Sequence, residues 1–422
     1  AIPVLVSPLL TRLYTPADFG VLAIYMTILS ITSVIITGRY ELAIVLPKVK
    51  QESADVALFT IFVALLATIA LYGILFLFKG FIFSLVENKV LQKWLYVLPL
   101  IVFFQGVSQT FNFWLNKQNQ YPKMSVVRVM QAIMTSGSRV GLGFYGLNAP
   151  GLLYGTLLGS FIGAIGSVFF SLKTQLAVFR KVSWKQMKTA AKRFQKFPKF
   201  SLGSGLLNTL SQNIPVLALT AYFSASVVGL YALAHRILKM SMRLVGRSVS
   251  RVFYERASDL VNDPDQLRKV SFKIYNRLLI IGMLSLGVIM FFGDHLFAFV
   301  FGEKWFDAGK YARVLSFWIL FNFVASPLSF ILTVLEKQEK TLIWEIILFI
   351  VRLIPFGIGI MLGFEALRLL TIYSVISGLY YFGFCIYSLK QVHVSYGKIA
   401  LNTLLILVGI GIPFALLRML VF

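Results

Sequence analysis

Long apolar segments alternate with short polar ones along almost the whole chain. Twelve of them reach the roughly 17–25 residues that cross a bilayer as a helix, and a thirteenth, at the start of the chain, is shorter. This pattern predicts an all-α polytopic membrane protein. Because the chain opens directly in apolar sequence, we expect its first span to be a helix that lacks its beginning rather than a signal peptide. The predicted spans are residues 1–13, 19–46, 56–78, 94–115, 129–146, 151–172, 200–222, 227–246, 275–301, 314–335, 342–362, 366–389 and 399–422.

The composition agrees with this pattern and excludes soluble enzyme classes. Of the 422 residues, 58% are hydrophobic and 13% are charged, and the mean hydropathy is +0.82. A soluble globular protein has about 25% charged residues. The net charge of +24 is also typical of nucleic-acid binders, but the charges fall mostly in short loops between apolar runs. We therefore expect no nucleic-acid partner.

The sequence predicts no cofactor and no metal site. Cys385 is the one cysteine and lies in an apolar run, and the three histidines are widely separated. This excludes an internal disulfide and a zinc motif. The sequence also has no phosphate-binding loop of the Gly-x-x-x-x-Gly-Lys-Ser/Thr type. Any driving force is therefore expected from a coupling ion (H+ or Na+), the membrane potential or a substrate gradient.

The basic loops predict two lobes. Lys and Arg are concentrated in loops on one side of the predicted spans, which places the basic segment 173–199 in the cytoplasm. This segment separates a six-helix lobe, residues 1–172, from a second six-helix lobe, residues 200–391, and residues 392–422 form an additional hydrophobic helix. Weak internal repeats, such as those around Pro8 and Pro215, support two pseudo-symmetric bundles. These two prolines are also candidates for helix bending, with a static kink as the alternative.

Cations within the eighth predicted span are the most informative feature. Arg236, Lys239, Arg243, Arg247 and Arg251 are spaced by three or four residues, so a helix places them in one stripe. A cation at the bilayer centre costs about 2.5–3.5 kcal/mol, so such residues face a polar cavity or a partner. We expect a water-filled cavity with a cationic wall that binds an anion. The alternative is an interfacial basic helix that does not cross the membrane.

Other charges within the spans are predicted to line the same cavity or to act as a gate. On the fifth span, Arg128 and Arg139 share a polar face with Gln131 and Thr135, and Arg139 is the deeper of the two arginines. Gating or coupling candidates are Arg128 and four residues on other spans, and snorkelling or a structural ion pair are the alternatives. These four are Arg39, Glu41, Glu345 and Arg352. Four glycines on the sixth span, at 151, 155, 159 and 163, predict close contact with a neighbouring helix.

Three segments resemble the Wzx-type polysaccharide flippases of the multidrug/oligosaccharidyl-lipid/polysaccharide exporter superfamily. They are PLLTRLYTPADFG at 8–20, TGRYELAIVLP at 37–47 and FGEKWFDAG at 301–309. The resemblance implies two six-helix bundles around a central cavity in the bacterial cytoplasmic (inner) membrane. It implies that an undecaprenyl-diphosphate-linked oligosaccharide moves to the periplasmic leaflet, with membrane lipids and other polysaccharide assembly proteins as partners.

A diphosphate suits the stripe, because guanidinium groups bind phosphate oxygens well. Arg236 and Arg243 are the leading diphosphate candidates, with Lys239, Arg247 and Arg139 in the cavity wall. A lipid II flippase would use the same carrier, although the 37–47 segment favours the polysaccharide branch. A multidrug exporter would need buried carboxylates, which are scarce in the spans.

A membrane glycosyltransferase or polymerase is the remaining alternative, and it would need acid and base groups in an external loop. Residues Asp294, His295, Glu303 and Asp307 form the largest such group.

Overall fold

The computed structural model describes residues 2–86 and 88–421. These residues are almost entirely helical, and no strand occurs within them. The all-α fold expected from the apolar pattern is confirmed. Side chains are described for all of these residues except Thr174, Ser241, Arg243, Leu244, Val245, Arg247, Ser248 and Gln338.

The helices follow one another through short connections. Those of the first half are α1 (Ile2–Leu5), α2 (Ser7–Leu13), α3 (Pro16–Ile35), α4 (Lys50–Leu77), α5 (Lys79–Ser84), α6 (Lys89–Leu95), α7 (Leu98–Lys117), α8 (Tyr121–Phe144), α9 (Asn148–Arg180) and α10 (Trp184–Arg193). Those of the second half are α11 (Leu202–Tyr222), α12 (Ala225–Asp259), α13 (Pro264–Phe301), α14 (Phe306–Val334), α15 (Gln338–Met361), α16 (Ala366–Lys390) and α17 (Tyr396–Val421). Three shorter turns of helix are Tyr40–Val45, Phe197–Ser201 and Glu303–Trp305.

Eight of the described helices are long and apolar enough to cross a membrane, or nine if α6 and α7, which meet at 53°, form one bent span. The eight are α3, α4, α9, α13, α14, α15, α16 and α17. The remaining predicted spans correspond to α1 with α2, α8, α11 and α12, which are shorter or more polar. The chain is therefore a multi-pass membrane protein, and the crossing of these remaining segments stays a prediction.

The second predicted span, 19–46, is wrong at its end. Helix α3 ends at Ile35, and Gly38 and Arg39 adopt φ values of +57° and +63°. Two successive left-handed residues cannot continue a right-handed helix. The apolar residues that follow form the short helical turn Tyr40–Val45 instead. Arg39 and Glu41 therefore lie in the connection between α3 and α4.

The chain divides into two compact units, Ala1–Leu217 and Ala218–Phe422. In the first unit α9 packs against α7 and α8, and the basic helix α10 packs against α4. In the second unit α14 is the central helix, packed against α12, α13 and α16, while α17 packs against α13. This boundary falls inside α11. The division at the basic segment 173–199 stays a prediction.

The glycine face of α9 contacts the polar face of α8, as the spacing predicted. A Cβ on Gly151 would lie 3.3 Å from Leu142, one on Gly155 would lie 2.9 Å from the carbonyl oxygen of Thr135, and one on Gly163 would lie 3.1 Å from the Gln131 amide. These separations are too short or very tight for a side chain. The glycines allow α8 and α9 to approach closely.

We expect Gly155→Ala to lower the thermal unfolding temperature of the purified protein. The new methyl group would meet the Thr135 carbonyl, which belongs to the backbone of α8 and cannot turn aside. Overpacking of this kind costs about 1–3 kcal/mol. Gly137→Ala is the matched control, because a Cβ there meets nothing within 4 Å. Equal unfolding temperatures for the two variants would contradict close packing at Gly155.

Candidate functional site

The basic stripe lies on a continuous helix. Helix α12 runs over 35 residues without a break, a length of roughly 50 Å, so the spacing of Arg236, Lys239, Arg243 and Arg247 does place them along one side. The side chains of Arg243 and Arg247 lie outside the described residues. Those of Arg236 and Lys239 are half-buried.

The stripe runs beside the packed face of α12. Buried positions on this helix include Leu238, Met242 and Gly246. Lys239, Arg243 and Arg247 each follow one of these positions, which places them about 100° further around the helix. The stripe is thus at the margin of the face that packs within the unit 218–422.

Arg352 occupies a separate buried cluster in the second unit. Its side chain on α15 is 8% exposed, and its Nη2 donates a hydrogen bond of 3.2 Å to the hydroxyl of Tyr381 on α16. Tyr231 on α12 and Tyr373 on α16 are buried near the same guanidinium. Arg352 therefore links α15 to α16. Glu345 is exposed on α15, and the described part of the chain shows no ion pair for it.

Arg139 joins α8 to α9. The residue is 8% exposed, its Nε donates to the carbonyl of Leu152 at 3.1 Å, and its Nη2 donates to the Thr156 hydroxyl at 2.9 Å. Its own carbonyl accepts a hydrogen bond of 2.6 Å from the hydroxyl of Tyr14. These bonds make Arg139 a packing residue of the first unit. Its predicted place in a cavity wall stays a prediction.

A cavity of about 240 Å³ lies among α7, α8 and α9 in the first unit. It is lined by uncharged polar side chains, namely Gln105, Ser108, Gln109, Asn112, Gln131 and Ser160. A second cavity of about 420 Å³ shares Asn112 with it, and its wall includes Asn116, Tyr121 and Arg128. The predicted polar face of α8 is therefore divided: Arg128 and Gln131 line cavities, whereas Thr135 and Arg139 pack against α9.

Arg39 and Glu41 are brought together in the connection after α3. Glu41 has no exposed surface, its Oε1 accepts a hydrogen bond of 3.0 Å from Gln109, and the Arg39 Nη1 lies 3.7 Å from the same oxygen. The Arg39 guanidinium also lies against Gly205 of α11, where a Cβ would come within 2.8 Å of its Cζ. The arrangement joins α7 to the start of α11 through two charged side chains.

We expect Glu41→Gln to stabilise the protein at about pH 8 and to lose this advantage near pH 4, where more than half of a free Glu is protonated. Burial raises the pKa of Glu41, so the folded chain holds this proton more tightly than the unfolded chain does. The carboxyl group's contribution to stability is therefore largest below its unfolded pKa and is lost as the pH rises through its folded pKa. Gln keeps the oxygen that accepts from Gln109. Unfolding temperatures across this pH range test the prediction, with the exposed Glu255→Gln as control, and a constant difference would contradict it.

Asp294 belongs to an ion cluster that the sequence did not reveal. The residue is 3% exposed, and its Oδ2 accepts from Arg313 of α14 at 2.6 Å and from Arg418 of α17 at 2.9 Å. Asp307, by contrast, forms a surface pair with Lys310 at 2.8 Å. Asp294 is thus committed to holding three helices together. Among the described residues, no group of three or more metal-ligand side chains occurs.

The two predicted bending prolines occupy different places in their helices. Pro8 lies in the first turn of α2, where no helical hydrogen bond is lost. Pro215 lies inside α11, near the boundary between the two units. A proline in the interior of a helix removes one backbone hydrogen bond. Bending at either position stays a prediction.

Comparison with known proteins identifies the family. A family model described as "Polysaccharide biosynthesis protein" matches residues 9–310, which is well over half of the chain. The chain belongs to this family. The match confirms the resemblance carried by the segments at 8–20, 37–47 and 301–309.

Two known proteins are similar to the chain in sequence. The teichuronic acid biosynthesis protein TuaB of Bacillus subtilis (strain 168) is 20% identical over 314 residues, covering 73% of the chain and 63% of the relative. An uncharacterized membrane protein in the cps region of Klebsiella pneumoniae is 20% identical over 332 residues, covering 78% of the chain and 67% of the relative. The chain thus spans less than two thirds of the length of TuaB.

Two solved structures resemble the fold of the chain. The lipid II flippase MurJ, in an inward closed conformation, has a TM-score of 0.75 at 16% identity, covering 99% of the chain and 91% of MurJ. An inward-facing multidrug resistance MATE transporter of the MOP superfamily has a TM-score of 0.70 at 15% identity, covering 93% of the chain and 94% of the transporter. The chain therefore shares the all-α fold of these two proteins.

Proposed function

We propose that the protein is a flippase for an undecaprenyl-diphosphate-linked oligosaccharide, such as an O-antigen, capsule or exopolysaccharide repeat unit. It moves this lipid from the cytoplasmic to the periplasmic leaflet of the bacterial inner membrane by alternating access. The observation that carries the proposal is the basic stripe on α12 in a member of the polysaccharide biosynthesis family. Arginine and lysine side chains on a membrane helix can bind an anionic ligand, and the carrier lipid supplies a diphosphate.

In this proposal Arg236 and Arg243 bind the diphosphate, and Lys239, Arg247 and Arg139 contribute positive charge to the cavity wall. Arginine presents two parallel N–H donors to phosphate oxygens, and the interaction strengthens where water is scarce. A repeat unit that itself carries acidic sugars would add to the attraction. The name of the relative TuaB, which refers to teichuronic acid biosynthesis, is in line with an acidic cargo.

The energy source is proposed to be an ion gradient, with H+ or Na+ as coupling ion, or the substrate gradient itself. Gate or coupling roles are proposed for Arg39 and Glu41 in the connection after α3, for Arg128, and for Glu345 and Arg352 on α15. Glu41 is the strongest of these candidates, because it is a fully buried carboxyl group that Arg39 only partly compensates. Other polysaccharide assembly proteins supply and remove the lipid-linked cargo.

A lipid II flippase is the second candidate, since its cargo carries the same diphosphate. The family match favours the oligosaccharide. A multidrug exporter is less well supported, because Asp294, one of the few buried carboxylates of the described chain, is already paired with two arginines.

Native mass spectrometry of the purified protein tests the proposal. We expect undecaprenyl diphosphate to bind in preference to the neutral polyprenol of the same length, and the preference to weaken as salt is raised, as electrostatic binding requires. Lipid II serves as competitor. Equal binding of the diphosphate and the polyprenol would contradict the proposal. A marked preference for lipid II over other sugar-linked diphosphates would favour the second candidate.

A further inference from the structure

The cavity of about 240 Å³ in the first unit is lined by amide and hydroxyl side chains. Four of its six lining residues, Gln105, Ser108, Gln109 and Asn112, come from one face of α7. Gln131 of α8 and Ser160 of α9 complete the wall. Amide and hydroxyl groups offer both donors and acceptors without net charge. Ser, Asn and Gln side chains commonly form hydrogen bonds between packed helices in membranes, and here six such residues surround a cavity.

Several of these groups have unused hydrogen-bonding capacity. The side chains of Gln105 and Gln131 make no hydrogen bond to another described residue, and the buried Oδ1 of Asn112 accepts none there. Asn112 donates to the carbonyl of Ser108 at 2.7 Å, which holds its amide in place. Buried polar groups are costly unless they find a partner. The cavity is therefore suited to a ligand rich in both donors and acceptors.

The first unit also keeps this space open. Gly163 of α9 faces the cavity wall, and a Cβ there would lie 3.1 Å from the Gln131 amide and 3.4 Å from the Ser108 hydroxyl. A larger residue would press these two groups out of position. Because Gly163 has no side chain, there is room beside it for the Gln131 amide.

The size of the cavity limits what it can hold. Its 240 Å³ is below the about 300–1,000 Å³ that accommodate drug-sized ligands. One sugar ring fits this volume, whereas an oligosaccharide does not. The adjoining cavity of about 420 Å³, with the exposed ring of Tyr121 in its wall, offers space for a following sugar. Aromatic rings commonly pack against the C–H faces of sugars.

We propose that the cavity lined by Gln105, Gln109, Asn112 and Gln131 binds a neutral sugar ring of the lipid-linked cargo through its hydroxyl groups. This inference rests on the proposed function and adds a sugar subsite in the first unit to the diphosphate stripe on α12. Amide groups form hydrogen bonds only with hydroxyl groups in suitable positions. The subsite would therefore make the flippase selective for one sugar over another, whereas the cations of the stripe recognise only the diphosphate.

The test compares undecaprenyl diphosphate with the same lipid carrying one glucose, galactose or N-acetylglucosamine, in native mass spectrometry of the full chain. Gln131→Met keeps the length of the side chain and removes its hydrogen bonds. We expect this variant to bind at least one sugar-linked lipid about tenfold less tightly than the wild type, the loss expected from one or two hydrogen bonds. Its affinity for bare undecaprenyl diphosphate should be unchanged.

Ser160→Ala is a milder second variant, and Gln266→Met makes the same substitution at an exposed position of α13. The Ser160 variant should lose part of the sugar-dependent affinity, and the Gln266 variant none. An equal loss for bare and sugar-linked lipids, or no loss with any of the three sugars, would overturn the sugar subsite. A wild type that binds none of these diphosphates would instead overturn the proposed function, so the two failures are distinguishable.

Discussion

Arg236→Gln is expected to slow the flipping of a diphosphate-linked sugar lipid by about tenfold to a hundredfold. A hydrogen bond to a charged group contributes about 1.5–3 kcal/mol, and each 1.4 kcal/mol corresponds to a factor of ten. Gln keeps a polar side chain of intermediate length at this half-buried position but has no charge to offer the diphosphate. The effect should appear in transport without loss of the folded protein.

Proteoliposomes loaded with undecaprenyl-diphosphate-linked N-acetylglucosamine provide the measurement. The rate at which the sugar becomes accessible to an added galactosyltransferase reports flipping. Arg256→Gln is the matched control, because Arg256 is exposed on the same helix and lies five residues beyond Arg251, on a different face from the stripe. Arg236→Lys should retain part of the activity, since it keeps the charge but not the two-pronged geometry.

Two results would contradict the role of Arg236. One is an unchanged rate in Arg236→Gln at equal protein density. The other is an equal reduction in Arg236→Gln and Arg256→Gln, because a general loss of positive charge on α12 would then explain the effect. A pronounced loss for Arg236 alone would assign the function to the stripe.

Helical content was predictable because the hydrophobic signal is strong. A run of about twenty apolar residues has few stable alternatives to a helix in a membrane. The end of α3 was not predictable in this way, because another apolar run, Leu42 to Leu46, follows soon after Gly38 and extends the predicted span. The left-handed backbone at Gly38 and Arg39 interrupts the helix before this second run.

The glycine spacing on α9 was equally clear, since four small residues at intervals of four define one face.

The candidate site could be predicted only in part from the sequence. Charged residues in apolar spans draw attention because their cost is high, and this identified the stripe and Glu41. The amides of α7 carry no charge, although Gln105, Gln109 and Asn112 recur at helical spacing and were a usable signal. Their partner Gln131 lies on another helix, and which residues meet in space depends on packing.

Long-range pairs are the feature that sequence reasoning missed altogether. Asp294 suggested an external acid and base site, but it is buried and paired with Arg418, which is 124 positions away. No local pattern connects the two residues. The pairing is one of the contacts that attach α17, which presents a largely uncovered apolar surface, to the rest of its unit.

Asp294→Ala is expected to lower the free energy of unfolding by about 3 kcal/mol. Removing one member of a buried ion pair costs about 3–5 kcal/mol, because a charge is left without compensation. The lower end applies here, since the side chains of Arg313 and Arg418 are 33% and 26% exposed and can reach polar surroundings. Thermal or denaturant-induced unfolding in detergent micelles measures the effect.

Asp307→Ala is the control that separates a buried cluster from a surface pair. The side chains of Asp307 and Lys310 are 59% and 41% exposed, and a pair of this kind contributes at most about 1 kcal/mol. Arg418→Ala should give an intermediate loss and make α17 more susceptible to proteolysis, because Asp294 keeps Arg313 as a partner. Equal stabilities of the Asp294 and Asp307 variants would contradict the cluster. The expected order, with Asp294→Ala the least stable, would show that the buried carboxylate of Asp294 strengthens the attachment of α17 to α13 and α14.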